Sequence, residues 1–292
     1  MFNILTKKPV SCWLFLCLAL FSILTSCGTG NQEQETLNNK NQQVRIISLS
    51  PHLAELVASA GALKNLVGVV SYSDFPPQVT KLPHVGDAFK LDYEAIVSLQ
   101  PDIILTWKGG TSQAVLEKLK SLHLPVVETE IKKLDDIPKV VMQIAQITSS
   151  QTIAKKNTTK FIETIKEIKA KKHRKYSAFI EISANPLYTI SANHWMSEAA
   201  SLCGFENIFQ QLPQLSAPVT LESVININPQ SIINVSETYD TQWQKWKNLT
   251  ALKSKRIITV SPDYLSRPTF RILQGINKLC QISQLPAQSK KE

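Results

Sequence analysis

Short apolar runs alternate with amphipathic segments along the chain from Val44 onward. Runs such as "VRIISLS" and "PDIILTW" are almost wholly apolar, which is typical of strands buried on both faces of a parallel sheet. The segments between the runs repeat apolar residues at helical spacing. One of them, "SPHLAELVASAG", also carries helix signals, with Ser50 and Pro51 at its start and Gly61 at its end. Strands that alternate with helices predict the α/β class, with helices on both faces of the sheet.

The pattern is helical between residues 136 and 174. Phe161, Ile165 and Ile168 fall on one stripe, and lysines fill much of the remaining surface. The interruption "TSSQT" predicts two helices, of which the second is long and, because it contains neither Gly nor Pro, stiff. A second α/β unit follows. We therefore predict two Rossmann-like lobes joined by a rigid long α-helix, with boundaries at 44–135 for the first lobe, 136–174 for the linking helices and 175–292 for the second lobe.

One helix-to-strand unit occurs twice in the sequence. In "DYEAIVSLQPDIIL" Glu94 precedes Pro101 by seven residues, and in "TLESVININPQSII" Glu222 precedes Pro229 by the same seven. Each glutamate falls near the start of a short predicted helix, where the helix dipole favours a negative side chain. The spacing leaves two interpretations equally open: ordinary helix-start residues, or two surface acids with one shared function.

The N-terminus has the features of a secretory signal peptide over residues 1–26. Its apolar run "CWLFLCLALFSILT" is shorter than the roughly 20 residues of a membrane-spanning helix. The "LTSC" that follows is similar to the bacterial lipobox, which implies cleavage before Cys27 and acylation of its thiol. The alternative is an ordinary cleavage site with an incidental cysteine. Residues 27–43 are polar and would form a lipid-anchored tether, so we expect a membrane-anchored lipoprotein in the periplasm.

The five cysteines fall into three groups. Cys12 and Cys17 would leave with the signal peptide, and Cys27 is the expected lipid site. Cys203 and Cys280 remain, in an exported and oxidising compartment, so a disulfide between them is expected. The competing idea, a catalytic thiol, needs a nearby base, and the sequence has no cysteine–histidine signature.

The charge distribution argues against a nucleic-acid partner. The net charge is +9, and removal of residues 1–26 takes away two lysines, leaving +7. Much of this excess lies in "AKKNTTKFIETIKEIKAKKHRK", where lysines occupy the solvent side of an amphipathic helix rather than alternating with aromatic residues.

The sequence contains no recognised enzyme motif: no P-loop, no G-x-G-x-x-G, no G-x-S-x-G and no H-E-x-x-H. The glycine pair of "WKGGT" follows a predicted strand, but its lysine stands in the wrong place for a phosphate loop. The five histidines are scattered and suggest no metal site: His52, His84, His123, His173 and His194. We expect no catalytic residue, resident cofactor or metal; an exported α/β enzyme stays as the less favoured alternative.

Polar and aromatic residues follow several predicted strands, at the edge where open α/β sheets bind ligands. Tyr72 and Trp107 follow strands of the first lobe, Tyr188 follows the first strand of the second lobe, and Asp263, Tyr264 and Arg267 follow its last strand. Each alone is more typical of packing or loop surface. Together they predict a cleft between the lobes that takes a large, flat ligand.

The chain resembles the periplasmic cobalamin-binding proteins of ABC importers, which belong to the helical-backbone class of substrate-binding proteins. The matching segments are "RIISLSPHLAELVASAGALKNLVGVVSYSDFPP", "IVSLQPDIILTWKGG", "CGFENIF" and "SPDYLSRPTFRIL". The resemblance implies that cobalamin is a transported ligand rather than a cofactor. It also implies that an ABC permease dimer is a partner.

The resemblance also implies roles for individual residues. Glu94 and Glu222 would meet arginines on the two permease subunits, and Cys203 and Cys280 would form the disulfide of the family. The implied ligand contacts are Tyr72, Trp107, Tyr188 and the "DYLSR" loop of Asp263, Tyr264, Leu265, Ser266 and Arg267.

Three positions depart from the family pattern. Ala88 and Ser216 stand where tryptophans are usual, although Phe89 adjoins the first, and Ser266 replaces an acid. These changes keep a ferric siderophore, haem or another metal chelate open as an alternative cargo. His52, in the first strand-end loop, is a further candidate for coordinating cobalt.

Overall fold

The first sheet is entirely parallel and lies in the N-terminal half of the chain. In the computed structural model, which describes residues 43–87, 89–238 and 242–284, its strands run in the order β2-β1-β3-β4. The strands are β1 (Ile46–Ser48), β2 (Leu66–Val69), β3 (Ile103–Trp107) and β4 (Val126–Thr129). The predicted signal peptide, lipid site and most of the tether, together with Ala88, lie outside the described residues.

The helices of this lobe begin and end where the sequence signals predict. They are α1 (Pro51–Ser59), α2 (Tyr93–Ser98) and α3 (Gln113–Ser121). Pro51 is the first residue of α1, and Gly61 follows the helix with φ +79°, a conformation that glycine adopts without a Cβ clash. Asp92 caps α2, because its Oδ1 accepts a hydrogen bond from the Ala95 amide at 2.9 Å.

Two helices link the sheets, α4 (Asp136–Thr148) and α5 (Gln151–Ala170). Ser149 separates them with φ 55°, so the predicted interruption is confirmed. The stripe of Phe161, Ile165 and Ile168 is buried in a hydrophobic core that also contains strand residues of both sheets. The Phe161 ring stacks on that of Phe270 with centroids 4.9 Å apart. Packing against residues of both lobes therefore adds to the stiffness of the linking helix.

The second sheet repeats the plan of the first. Its order is β11-β10-β5-β8, so in both sheets the first strand is flanked by the second and third, and the fourth lies beyond the third. All pairings are parallel. The strands are β5 (Tyr176–Glu181), β8 (Phe205–Asn207), β10 (Ser231–Val235) and β11 (Ile257–Val260). The predicted α/β fold of two lobes is confirmed, and both sheets belong to one compact unit that begins at Val44.

The helices of the second lobe are α6 (Trp195–Ser201), α7 (Leu221–Ile227), α8 (Thr250–Lys253), α9 (Pro262–Leu265) and α10 (Ile272–Gln284). A disulfide joins Cys203, just after α6, to Cys280 in α10, with their Cα atoms 4.5 Å apart. Among the described residues, no helix is long and apolar enough to cross a membrane.

Three features of the second lobe differ from the sequence prediction. A small antiparallel sheet of β6 (Ser183–Ala184), β7 (Leu187–Ile190) and β9 (Ser216–Pro218) was not predicted, because its strands are too short for a periodic signal. The pattern of "DTQWQKWKNL" predicts a helix, but the described residues of this segment form a 3-10 turn, Gln242–Lys245, before α8. The first four residues after Ser261 form α9 rather than a loop.

Candidate ligand-binding site

A cavity of about 360 Å³ opens at the carboxyl ends of the first three strands. Ser50 follows β1, Tyr72 follows β2 and Trp107 ends β3, and all three line the cavity. This is the edge where open parallel sheets hold ligands, because the loops diverge there. Among the described residues, those that line this cavity all come from the first lobe.

Two exposed aromatic rings stand at the rim of the cavity. Tyr72 is 81% exposed and Phe89 is 99% exposed. Large apolar rings that stay in water next to a cavity are typical of a binding surface. Tyr72 has φ 65°, which few non-glycine residues adopt, and the hydrogen bond from Ser71 N to Gly86 O at 2.8 Å holds the strand end beside it.

The glycine pair of "WKGGT" makes room for the third aromatic residue, Trp107. Gly109 has φ +92°, and a Cβ built on Gly110 would overlap the Trp107 indole. The turn is closed by Thr111, whose amide donates to the Trp107 carbonyl at 3.1 Å. The absence of a Cβ at Gly110 therefore leaves room for the half-buried indole against the backbone. The function of the glycine pair is to position Trp107.

The predicted residues of the second lobe lie in different places. Tyr188 is half-buried on β7, opposite Ser183. Leu265 is fully buried, and its carbonyl accepts a hydrogen bond from the Trp195 indole at 3.1 Å, so its side chain serves packing. Asp263, Tyr264 and Ser266 are half-buried on or beside α9, and Ser216, one of the departures, is exposed in β9.

Arg267 reaches from the second lobe to the rim of the cavity. Its Nη2 donates to the Tyr72 carbonyl at 3.2 Å, and its Nη1 donates to Asp74 at 2.6 Å and to Glu55 at 2.9 Å. Tyr72 of the first lobe and Arg267 of the second lobe, both predicted as site residues, are thus in contact where the two lobes meet. Glu55 was not predicted, although an acid between Ala54 and Leu56 in a buried helix was a signal for it.

Glu55 belongs to a charged group that we call the Glu55 cluster: Glu55, Asp74, Asp263, Arg267, Thr269 and Arg271. The Arg271 guanidinium also lies over the rings of Phe75 and Tyr264, at 4.4 and 5.0 Å from their centroids. Burial raises the pKa of Glu55, although Arg267, Arg271 and Thr269 act in the opposite direction. Burial acts to lower the pKa of Arg267, but hydrogen bonds to Asp74 and Glu55 and the charges of Asp263 and Asp74 raise it above its usual value.

His52 lies behind Trp107 rather than in the cavity wall. The residue is 6% exposed, and its ring meets the indole edge-on, with centroids 5.1 Å apart. Its Nδ1 is 2.5 Å from Ser50 Oγ. Burial and the charge of Arg267 lower its pKa to about 3, which keeps the ring neutral at physiological pH. Among the described residues, no group of three His, Cys, Asp or Glu could hold a metal ion.

Glu94 and Glu222 occupy equivalent positions in the two lobes. Each is the second residue of its helix, α2 or α7, and each side chain is exposed. Each helix has a side-chain cap, from Asp92 or Thr220, and each leads into the third strand of its sheet. The repeated unit seen in the sequence is therefore a repeat in structure too.

Comparison with known proteins identifies the family. The sequence profile described as Periplasmic binding protein matches residues 46–264. The chain belongs to the periplasmic binding protein family. This family consists of transport proteins that bind solutes, so the chain is a binding protein and not an enzyme. Family membership also indicates a periplasmic location.

Two similar proteins carry a more specific description. The chain is 30% identical over 271 residues to a vitamin B12-binding protein of Vibrio parahaemolyticus, which covers 91% of this chain and 95% of that protein. The crystal structure of the periplasmic vitamin B12-binding protein BtuF of Vibrio cholerae matches with a TM-score of 0.77 and 29% identity, over 84% of this chain and 99% of that one.

A third similar protein has a different description. The structure of a possible iron-binding, periplasmic solute-binding protein from Staphylococcus epidermidis matches this periplasmic binding protein with a TM-score of 0.71 and 27% identity. The match covers 82% of this chain and 98% of that one. The same fold thus occurs in proteins described for two kinds of solute.

Proposed function

We propose that this protein captures cobalamin or a closely related corrinoid and delivers it to the permease of an ABC importer. The observation that carries the proposal is the aromatic cavity of Tyr72, Phe89 and Trp107 at the strand ends. It occurs in a chain that is 30% identical, over almost its whole length, to a protein described as binding vitamin B12. Flat rings offer a corrin a large contact area at small conformational cost.

The size of the cavity determines how such a ligand would bind. A corrinoid is larger than about 360 Å³, so only part of it would enter, and the rest would lie against the rim. Tyr72 and Phe89, the most exposed aromatic residues there, would cover one side of the macrocycle. Asp263, Tyr264 and Ser266 of the second lobe, with Tyr188, would offer polar contacts to its amide side chains.

A ferric siderophore, haem or another metal chelate is the second candidate. Two observations favour it: Ser216 and Ser266 replace residues that the cobalamin-binding pattern contains, and a structure 27% identical is described as possibly iron-binding. His52, which is neutral, could ligate a metal only if Trp107 moved aside, because the indole lies against its ring.

Calorimetry with four ligands separates these candidates. Cyanocobalamin, cobinamide, haemin and a ferric siderophore are titrated into wild-type protein and into Trp107→Ala. We expect binding of a corrinoid that weakens in the variant, with Trp246→Ala, an exposed tryptophan outside the cavity, as matched control. Heat from haemin or the siderophore, with none from either corrinoid, would favour the second candidate.

We further propose that Glu94 and Glu222 dock the protein on the permease. Two equivalent acids, one on each lobe, suit a permease of two identical subunits that presents two equivalent basic sites. Such contacts contribute to encounter rate and register more than to affinity, and they weaken as salt rises.

We also propose that Cys27 carries a lipid and that residues 27–43 tether the folded part to a membrane. The support is the "LTSC" pattern in the sequence, and this proposal does not depend on the identity of the cargo. Mass spectrometry of the intact protein from membranes tests it. A thioether-linked lipid on Cys27 is expected, and soluble protein beginning at another residue would contradict the proposal.

A further inference from the structure

Glu55 is a buried acid whose side-chain partners, among the described residues, come from the other lobe. It lies on α1 of the first lobe and is 2% exposed. Its Oε1 accepts hydrogen bonds from Arg267 Nη1 at 2.9 Å and Arg271 Nη1 at 3.1 Å, and its Oε2 accepts one from Thr269 Oγ1 at 2.9 Å. These three donors belong to the segment between α9 and the start of α10. A buried carboxylate with two arginines and a hydroxyl is a geometrically fixed anchor.

Arg267 connects this anchor to the rim of the cavity. Its Nη1 faces Glu55 and Asp74, and its Nη2 faces the Tyr72 carbonyl and Asp263. The two terminal nitrogens of an arginine carry four N–H groups in a rigid plane. Each terminal nitrogen therefore already faces two protein oxygens. A guanidinium so engaged is suited to hold the rim in place and less suited to bind a ligand.

The part of the rim that Arg267 contacts has little packing of its own. Tyr72 as a residue is 81% exposed, and the Asp74 side chain is 53% exposed. The hydrogen bonds from Ser71 N to Gly86 O and from Ser73 N to Val70 O fix the residues on either side of Tyr72. The carbonyl of Tyr72 itself is held by Arg267 from the other lobe.

We propose that Glu55 is a positioning residue for ligand capture. It fixes the guanidinium of Arg267, and through Arg267 it holds the backbone of Tyr72 and the carboxylate of Asp74 at the rim. The ligand therefore meets an aromatic surface that is set before binding, which lowers the entropy cost of capture. The ligand-binding part of this inference rests on the proposed function, with a corrinoid as probe.

The test compares Glu55→Gln with a matched control, Glu198→Gln. Glutamine keeps the shape of Glu55 and removes the charge that pairs with the two arginines. Glu198 is a half-buried acid that, like Glu55, links two distant segments of the chain, since its Oε2 accepts a hydrogen bond from the Leu134 amide at 2.8 Å. It lies in α6, outside the Glu55 cluster. Amide hydrogen exchange of peptides covering residues 70–75 is measured without ligand, and cyanocobalamin affinity is measured by calorimetry.

We expect Glu55→Gln to speed exchange at residues 70–75 and to weaken cyanocobalamin binding about tenfold, the scale of one charged hydrogen bond. Glu198→Gln should leave both within twofold of wild type. The thermal unfolding midpoint of each variant is measured as well. If Glu55→Gln lowers this midpoint but leaves amide exchange at residues 70–75 and cyanocobalamin affinity unchanged, Glu55 only stabilises the fold and the inference is overturned.

A second variant covers the case in which Glu55→Gln does not fold. Thr269→Val removes one hydrogen bond to Glu55 Oε2 and keeps the side-chain volume; we expect smaller changes in the same direction, and unchanged exchange at 70–75 would count against the inference. Failure of wild-type protein to bind either cyanocobalamin or cobinamide would refute the proposed function. It would leave the exchange result, obtained without ligand, as a separate test of Glu55.

Discussion

The Nη2 atom of Arg267 lies 3.2 Å from the carbonyl oxygen of Tyr72, although the two residues are 195 positions apart in the sequence. The contact joins the loop after the last strand of the second lobe to the aromatic rim of the first. A ligand on Tyr72 would thus rest on a surface that both lobes hold.

Replacement of Glu94 and Glu222 by alanine should leave ligand affinity near wild type and reduce transport. Both side chains are exposed and neither lines the cavity, so the effect should fall on docking. Uptake of a labelled corrinoid by cells, together with calorimetry, measures the two properties.

The control for this docking prediction is the double variant Glu117→Ala/Glu163→Ala. It changes the net charge equally at two exposed acids elsewhere, on α3 and α5. Undiminished uptake by the Glu94/Glu222 variant would show that the repeated glutamates are ordinary helix-start residues.

Gly110→Ala should weaken ligand binding by about tenfold, or about 1.4 kcal/mol, with a small effect on stability. The added methyl group would overlap the Trp107 indole and push it out of its present position. Calorimetry and tryptophan fluorescence report affinity and the indole environment. Lys108→Ala, in the same turn but with a side chain 62% exposed, is the control. Equal affinity of both variants and wild type would mean that Trp107 does not contact the ligand.

The parts of the fold that depend on local periodicity were predictable from the sequence. Each of these features leaves a signal within a few neighbouring residues: the alternation of strands and helices, the break near Ser149 and the cap at Asp92. The sheet of β6, β7 and β9 left none, because its strands have two to four residues and pair with partners distant in the sequence.

The site was predictable only in part, for a similar reason. Strand ends indicated Tyr72 and Trp107, since a parallel sheet gathers its carboxyl ends at one edge. The resemblance to the cobalamin-binding proteins gave Leu265 a ligand contact, yet α9 turns its side chain into the core. The partners of Glu55 lie more than 200 residues away, so no local pattern could pair them.

Lowering the pH from about 6.5 towards 4 should reduce the histidine contribution to stability. Burial lowers the pKa of His194 to about 4, and burial with the Arg267 charge lowers that of His52 to about 3. Below 6.5 the unfolded chain binds protons at these sites that the folded protein does not, so the free energy of unfolding falls with pH. Glu55 acts in the opposite direction, because its pKa is raised in the folded state.

His194→Asn isolates this effect. Asparagine can replace the helix cap, in which His194 Nδ1 accepts from the Met196 amide at 3.2 Å, but it does not titrate. Urea denaturation between pH 4.5 and 6 should give a slope of unfolding free energy against pH that is lower by about 1 kcal/mol per pH unit than in wild type. If the unfolding free energies of the two proteins changed with pH in parallel, folding would not lower the pKa of His194.

Removal of the disulfide should lower the free energy of unfolding by about 4–5 kcal/mol in the chain-entropy model. Cys203 and Cys280 are 77 positions apart, so the bond closes a long loop in the unfolded chain. Urea denaturation of Cys203→Ser/Cys280→Ser, compared with wild type with and without reductant, measures the loss. Ligand affinity should stay near wild type, since both residues lie away from the cavity. A midpoint that is the same in all three samples would contradict the prediction.

The stacking of Phe161 on Phe270 has a consequence for how the protein melts. The helix α5 buries its apolar stripe in a core that also contains strand residues of both sheets. If either lobe unfolded alone, the other lobe would be left with apolar core residues exposed to water. Heating should therefore give one calorimetric transition, with van't Hoff and calorimetric enthalpies in agreement, and not two separate peaks. A fragment cut between the two halves would expose this apolar stripe to water and should aggregate.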